Sequence, residues 1–352
     1  MNSTTGVCPP DGATGFAAAS AAFGRATQAV GAVHEQHIRL AGRVMRVRVA
    51  GNHLAEELLA PFVHLRIEPA EPFFRLDLWH EEETGVGLDR PGLSPGLGTY
   101  GVVVVSEDGS VVAEHRPHAS ALLQRQERRI VAWVSRAGRL HLDERARPFH
   151  KPLAVALADD GVQLIHAGLV QSEGRGGLFV GMGGSGKSTS TICCLLEGLP
   201  YLGDDFVGLA VNPGGGFAGY SLYCTALINP GHMRRYPLLE PACLPGHHVE
   251  EDKSVVYFGG SVGVRLANET SIDAIILPRV VVPREDTCFR PASMRDALLA
   301  LAPSSLLFLP GGGPRAMDRL GDLVTRVPAY WLELGADVRQ IAPRVRELLM
   351  QQ

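Results

Sequence analysis

The sequence predicts an α/β fold with a mixed sheet, preceded by a β-rich domain. Short segments in which apolar and polar residues alternate occupy residues 33–147, as expected for half-buried strands. From Pro148 onwards, a helical segment and a short apolar strand lead into a glycine-rich loop and a further helix. This succession indicates an α/β unit, and the many short strands around it favour mixed rather than fully parallel pairing.

Length and composition limit the organisation and the partners. The 352 residues suffice for two domains, and we divide them into a flexible lead-in (1–32), a β-rich domain (33–147) and an α/β domain (148–352). The net charge of −4 and the lack of a long basic run argue against nucleic acid or a membrane as partner. With no apolar run of membrane-span length, no signal-like N-terminus and six cysteines without a CxxC pair, we expect a cytoplasmic protein with reduced thiols.

The elements of the β-rich domain follow from its apolar periodicity. Residues 40–50 alternate apolar and basic side chains, which predicts a half-exposed strand, and a short helix is expected over 53–63. Further strands are predicted at 74–79, 100–106, 110–114, 129–134 and 139–142. No motif in this domain indicates a chemistry.

The α/β domain alternates helices and strands around the glycine-rich loop. The predicted strands are 162–170, 177–180, 201–211, 254–258, 272–276 and 280–282. The predicted helices are 149–159, 188–196, 293–301, 315–325 and 337–351.

The loop reads GMGGSGKS from Gly181 to Ser188 and fits the pattern GxxxxGKS in full. Its glycines allow successive N–H groups to point at phosphate oxygens, and the following helix presents its positive end to them. Lys187 would reach the β- and γ-phosphates, and the Ser188 hydroxyl would ligate Mg²⁺. Its position between a predicted strand and a helix disfavours a chance match. The predicted nucleotide-binding residues are Gly181, Met182, Gly183, Gly184, Ser185, Gly186, Lys187, Ser188 and Thr189.

An acidic pair, Asp204 and Asp205, follows Lys187 after only 17 residues. Two carboxylates at one strand end can divide the work of phosphoryl transfer, one facing the metal and one accepting the proton of the attacking hydroxyl. The alternative is a solvated turn, because GDD is also turn chemistry. His166, upstream in LIHAGLV, is either a satisfied core histidine or a group that orients a carboxylate.

Taken together, LIHAGLV, the loop at 181–188 and GDD at 203–205 resemble the catalytic core of the HPr kinase/phosphorylase family. The resemblance is clear over 150–212, faint through the C-terminal third and does not clearly cover 1–145. It implies a compact phosphate-loop core of the phosphoenolpyruvate carboxykinase type, and a kinase that uses ATP and Mg²⁺ to phosphorylate a serine hydroxyl.

The resemblance also implies residue roles. Asp204 corresponds to the base that acts on the acceptor serine, with His166 beside it, and Lys187 and Ser188 are the loop lysine and hydroxyl. Asp205 is assigned to the metal side, and the two acidic roles could be exchanged.

The sequence departs from the bifunctional family members after the acidic pair. Their glycine-rich RGIG-like segment and basic loop have no convincing copy, since residues 225–241 and 250–258 read differently. This weakens HPr as the substrate and reverse phosphorolysis as an activity. The layout is more similar to divergent HPr-kinase-like proteins of ribosomal-peptide biosynthesis, including kinases of a lasso precursor serine.

The acceptor therefore remains open, as do its contacts. Lys253, Arg234 and Arg235 are candidate substrate residues, against the alternative that they are solvated surface charges. The expected partner is a peptide or small protein with an acceptor serine, and because the family often forms oligomers, a homo-oligomer is also expected. The rival functions are a kinase of a small-molecule hydroxyl and a non-catalytic ATP-binding sensor or scaffold. The intact loop lysine and acidic pair argue against the sensor.

Overall fold

A computed structural model describes residues 12–90, 97–229, 233–234, 236–243, 253–260, 263–281, 285–307, 310 and 313–352. The chain divides into two compact units. The first comprises residues 1–60 and 66–156, and the second comprises residues 61–65 and 157–352.

The first unit is built on an eight-stranded sheet in the order β3-β1-β2-β4-β8-β7-β6-β5. Its strands are β1 (Val33–Leu40), β2 (Arg43–Ala50), β3 (Arg66–Ile67), β4 (Phe74–His80), β5 (Val102–Val105), β6 (Val111–His115), β7 (Ala119–Gln124) and β8 (Arg129–Val134). The central strands β2, β4 and β8 run parallel, and the other pairs are antiparallel. The helices are α1 (Gly12–Val30), α2 (His53–Leu59), α3 (Glu81–Thr84), α4 (Leu142–Ala146) and α5 (His150–Asp159).

The lead-in prediction is corrected over residues 12–30, which form α1. Alanine is the strongest helix former, and apolar residues at helical spacing give this segment one buried face, so the small-residue composition was misread as loose. The face packs against Trp79 and Trp133 of the sheet through Phe16, Ala19, Ala22, Phe23 and Ala26.

Two other predictions in this unit are corrected. The strand expected at 40–50 is confirmed only over 43–50, as β2, because Ala41 and Gly42 take positive φ values of 47° and 79° and reverse the chain from β1 into β2. The strand expected at 139–142 is a 3-10 turn (Ala137–Arg139) followed by α4. His141 and Glu144 form a capping box there, which starts a helix rather than a strand.

The second unit contains a nine-stranded sheet in the order β12-β10-β11-β17-β14-β13-β9, with β19 beside β17 and β18 beside β19. The strands are β9 (Gln163–Ile165), β10 (Gly168–Ser172), β11 (Arg175–Phe179), β12 (Tyr201–Gly203), β13 (Val207–Val211), β14 (Phe217–Tyr220), β15 (Thr225–Ile228), β16 (Ser254–Tyr257), β17 (Glu269–Val280), β18 (Cys288–Pro291) and β19 (Ala329–Leu334). β15 and β16 form a separate hairpin. The helices are α6 (Lys187–Leu196), α7 (Met294–Leu307), α8 (Gly313–Arg326) and α9 (Ile341–Met350).

Helices cover both faces of this sheet. Alternate residues of a strand point to opposite faces, so Leu178 and Ile275 pack with α7 and α8, whereas Phe179 and Ile276 pack with α6 and α9. The fold is therefore mixed α/β, with parallel and antiparallel pairs in both large sheets, in agreement with the predicted class.

At one corner of the nine-stranded sheet, the two ends of its strand order meet. The strands expected at 162–170 and 201–211 are each broken, the first into β9 and β10 and the second into β12 and β13. β9 pairs with β13 at one end of the strand order, and β10 pairs with β12 at the other end. The two breaks face each other, joined by the hydrogen bond from the Ala167 N–H to the Asp205 carbonyl (3.1 Å).

Candidate functional site

The glycine loop lies between the end of β11 and the start of α6, as predicted. Gly181, Gly184 and Gly186 have φ values of 149°, 80° and 107°, which side chains with a Cβ rarely adopt. Gly186 is also closely packed, because a Cβ there would lie 2.7 Å from Leu334 Cδ1. The loop backbone thus adopts conformations that favour glycine at these three positions.

Lys187 is the first residue of α6, and its ammonium turns back across the loop. Nζ donates to the carbonyl oxygens of Gly181 (2.6 Å) and Met182 (3.3 Å). Burial lowers the pKa of Lys187, while the negative charges of Asp205 and Asp204 raise it. The lysine is thus within electrostatic reach of both acids.

The other loop residues fit a nucleotide phosphate group. Met182, Gly183 and Gly184 are exposed, so the loop is open to solvent. The Ser185 hydroxyl is buried and has no hydrogen-bond partner within the described residues, which leaves a donor for a phosphate oxygen. Ser188 and Thr189 lie in the first turn of α6, where N–H groups and the helix dipole favour an anion.

The corner of the sheet carries the acidic pair. The Phe206 N–H donates to the Asp204 carbonyl (3.0 Å), and Asp205 between them has a φ of 71°. These features define a γ-turn with a positive central φ, a rare and strained conformation that clusters at functional sites. Gly203 is required beside it, because a Cβ there would lie 2.8 Å from Val207 Cγ1.

His166 lies opposite this turn, in the break between β9 and β10. Its Nε2 lies 3.1 Å from Oδ1 of Asp205, and its ring contacts Phe206 with 5.7 Å between the ring centroids. The sequence-based pairing of His166 with Asp204 is corrected, since the partner is Asp205. The γ-turn at Asp205 changes the chain direction between the two acids, which leaves Asp204 only 4% exposed.

The strand that leads to the acidic pair does not lie beside the loop strand. After α6 the chain reverses through Gly198, whose φ is 83°, and returns as β12. β10, the strand after His166, lies between β12 and the loop strand β11 and pairs with both of them.

One residue that supports the corner was missed by sequence reasoning. The His166 N–H donates to the hydroxyl of Ser305 in α7 (3.0 Å), and Ser305 is buried. This bond replaces a ladder hydrogen bond that the broken strand lacks. The two residues are 139 positions apart, and no local motif marks Ser305.

The three candidate substrate residues differ in what the structure shows of their surroundings. Lys253 is exposed just before β16, and its charge is among the causes that lower the pKa of Lys187. Arg234 is exposed and forms no hydrogen bond or ion pair with the described residues. Arg235 lies outside the described residues.

Within the described ranges, no cluster of three or more His, Cys, Asp or Glu side chains could hold a metal ion. Mg²⁺ in kinases needs only one or two protein ligands besides the nucleotide phosphates, and Ser188 and Asp205 offer a hydroxyl and a carboxylate of that kind. None of the helices in the described part of the chain combines the length and apolar character that crossing a bilayer requires.

No protein-family model matches the sequence, and none of the curated proteins does. Among solved structures, the chain is similar to the Hpr(Ser) kinase/phosphatase from Coxiella burnetii, at 14% sequence identity and a TM-score of 0.31. The similarity covers 54% of this chain and 92% of that chain. A TM-score of this size does not establish a shared fold, so the residues of the site, and not this similarity, support the function proposed below.

Proposed function

We propose that the protein is an ATP- and Mg²⁺-dependent kinase that transfers the γ-phosphate to a serine hydroxyl of a peptide or small protein. The observation that carries the proposal is the juxtaposition of two parts. A complete phosphate loop holds Lys187, and the charges of Asp204 and Asp205 act directly on the pKa of that lysine. A module that only binds a nucleotide needs the loop and one acid at the metal, but it does not need a second acid as base.

Each residue has a distinct role in this proposal. Bound Mg-ATP supplies the phosphoryl group. The loop N–H groups and Lys187 neutralise its charge, while Ser188 and Asp205 hold the metal. Asp204 takes the proton of the acceptor hydroxyl. His166 fixes the Asp205 carboxylate through the 3.1 Å contact.

The acceptor is proposed from sequence. The run from LIHAGLV to GDD resembles HPr-kinase-like enzymes, and the overall layout of the chain is more similar to the divergent members, which include kinases of a lasso precursor serine. A serine of a ribosomally made precursor peptide is therefore the proposed acceptor, with free amino acids and sugars as the competing class.

The test incubates the purified protein with Mg-ATP and a precursor peptide encoded beside its gene, followed by mass analysis. We expect one phosphate on a serine, none on the matched Ser→Ala peptide and none without Mg²⁺. Phosphorylation of free serine or a sugar instead would reassign the acceptor. Equal phosphorylation by wild type and Asp204→Asn would refute the site assignment.

A further inference from the structure

The first unit contains a small cavity between strands β6 and β7 and the segment that leads into α5. Its volume is about 30 Å³. Its described lining residues all belong to the first unit, so neither the glycine loop nor the acidic pair contributes to it. Most of the wall is apolar, with Leu58, Ala121, Val134 and Leu140 buried and Ala119 and Phe149 half-buried.

A buried arginine lines this cavity and has one nitrogen without a partner. Arg116 is only 3% exposed. Its Nε donates to Glu114 Oε1 (2.8 Å), and its Nη2 donates to Asp143 Oδ2 (3.2 Å). Its Nη1 is also buried, but it has no hydrogen-bond partner among the residues that the structure describes. Because an unsatisfied charged donor is costly in a protein interior, the two N–H groups of this nitrogen call for an acceptor.

The acids around Arg116 already have donors of their own. Glu114 and Asp143 accept from Nε and Nη2 of Arg116 itself. Glu144 accepts from the backbone N–H of His141 (2.9 Å), and burial raises the pKa of its carboxyl group. None of the three carboxylates therefore occupies Nη1, and the raised pKa of Glu144 reduces the repulsion that a further carboxylate would meet.

The size and the wall of the cavity limit what it can hold. A water molecule needs roughly 10–15 Å³ of such space, so a cavity of about 30 Å³ holds about two or three non-hydrogen atoms, the size of a carboxylate. Ala119 and Phe149 are the half-buried apolar side chains of the wall, so an apolar group attached to that carboxylate can lie against them. Phe149 has a φ of 60°, a strained conformation for a bulky residue and one that is found at ligand clamps.

We propose that this cavity is a binding site for a carboxylate that is carried on a small apolar group. The carboxylate accepts a charge-assisted hydrogen bond from Nη1 of Arg116, and the apolar group packs against Ala119 and Phe149. Two sources present this chemistry: a free short-chain or branched-chain monocarboxylic acid, and the C-terminus of a peptide that ends in an apolar residue. The proposal rests on residues of the first unit alone and does not require the kinase function proposed above.

Titration of the full-length protein with small acids is the first test. The probes are isovalerate and an N-acetylated alanyl-valine dipeptide, each compared with its uncharged amide, and ligand-observed NMR measures the dissociation constants. We expect saturable binding of at least one acid and binding of its amide that is about 10-fold weaker or more, because the amide loses the charge-assisted hydrogen bond.

The two acids distinguish the sources of the carboxylate. Binding of isovalerate alone assigns the site to a free acid, binding of the dipeptide alone assigns it to a peptide C-terminus, and binding of both supports the shared chemistry. The absence of saturable binding for both acids, or equal binding of each acid and its amide, overturns the proposal.

The second test locates the binding with a substitution that leaves every charge in place. Ala119→Leu adds bulk to the wall and should raise the dissociation constant of the acid about 10-fold or more, since one methylene in an apolar pocket already has an effect of this size. The matched control is Gln124→Leu, a half-buried residue of the same strand outside the lining, which should bind as wild type does. Thermal melting checks that both variants fold, and the first test does not depend on either of them. Unchanged binding by folded Ala119→Leu, or an equal loss in both variants, contradicts the location.

Discussion

The two sheets of this protein differ in how they end. The sheet of the first unit is open, and the backbone groups of Val103 and Val105 at its edge have no partner strand within the described chain. The sheet of the second unit joins its own ends, because the breaks near His166 and Asp205 meet at one corner. One sheet thus ends in an open edge strand, and the other brings His166 and the acidic pair together where its strands break.

This difference explains why the proposed site lies at the corner of the second sheet. At the corner the ladder is interrupted, and its missing bonds are supplied by the Asp205 carbonyl and the Ser305 hydroxyl. Side chains at such a break leave the alternating pattern of a strand, so His166 and the acidic pair can converge. The first unit has long regular ladders, and its described residues show no comparable convergence around a phosphate loop.

The largest expected effect comes from removing the proposed base. Asp204→Asn should lower the rate of phosphoryl transfer about 100- to 10,000-fold, because a positioned general base contributes that much. The fold should persist, since the amide has the shape of the carboxylate. The control is Asp318→Asn, an exposed acid of α8 in the same unit, and steady-state kinetics should find it close to wild type.

Acid should weaken both units through one histidine in each. Burial lowers the pKa of His115 in the first unit and of His64 in the second to about 4, from the usual 6.5. The native rings stay neutral while the unfolded chain binds a proton, so this stability is complete above pH 6.5 and is lost as pH falls towards 4. The loss of unfolding free energy that each histidine causes is up to roughly 3 kcal/mol.

Denaturant unfolding at a series of pH values measures this loss. His64→Gln and His115→Gln should each flatten the decline in unfolding free energy below pH 6.5, and the exposed His53→Gln should not. A decline that is unchanged in both buried variants would show that other groups cause it.

Removing the hydrogen bond that Ser305 of α7 provides to the corner should have an intermediate effect on the free energy of unfolding. Ser305→Ala leaves the buried His166 N–H without its acceptor, which should cost about 1–3 kcal/mol of unfolding free energy. The neighbouring Ser304→Ala is the matched control, because its buried hydroxyl has no hydrogen-bond partner within the described residues. The NMR chemical shifts of the His166 ring should change in Ser305→Ala, recover in Ser305→Thr and stay unchanged in Ser304→Ala. Equal effects of both alanine variants would contradict the role of Ser305.

The smallest expected effect concerns the strained turn. Asp205→Gly and Asp205→Ala both lose the His166 contact, but only glycine accepts a φ of 71° without strain. The glycine variant should therefore be about 1 kcal/mol more stable than the alanine variant. The same pair of substitutions at Asp318, inside α8, should show the opposite order by about 1 kcal/mol, because alanine is the better helix former.

In the second unit, the sequence predicted best those features that local residue patterns determine. The loop, α6 and the early return of the acids follow from spacing and glycine chemistry, and the structure has them. The breaks in the strands at 162–170 and 201–211 were missed because apolar residues resume directly after each break, so each run was interpreted as one strand. The contacts of His166 with Asp205 and Ser305 depend on tertiary packing, which no local pattern encodes.

In the first unit the errors were of another kind. α1 was missed because alanine, glycine and serine were interpreted as loop composition, although the apolar face is regular. The β1–β2 reversal was missed because Ala41 takes a positive φ without a strong turn residue in front of it.

The most direct measurement asks whether a nucleotide-bound metal lies at the corner. Mn²⁺ accepts the same oxygen ligands as Mg²⁺ and broadens NMR signals of nearby nuclei. Titration with Mn-ATP should broaden the His166 ring signals beyond detection, and Lys187→Ala should suppress the broadening. Signals of His166 that stay sharp at saturating Mn-ATP would contradict a phosphotransfer site at this corner.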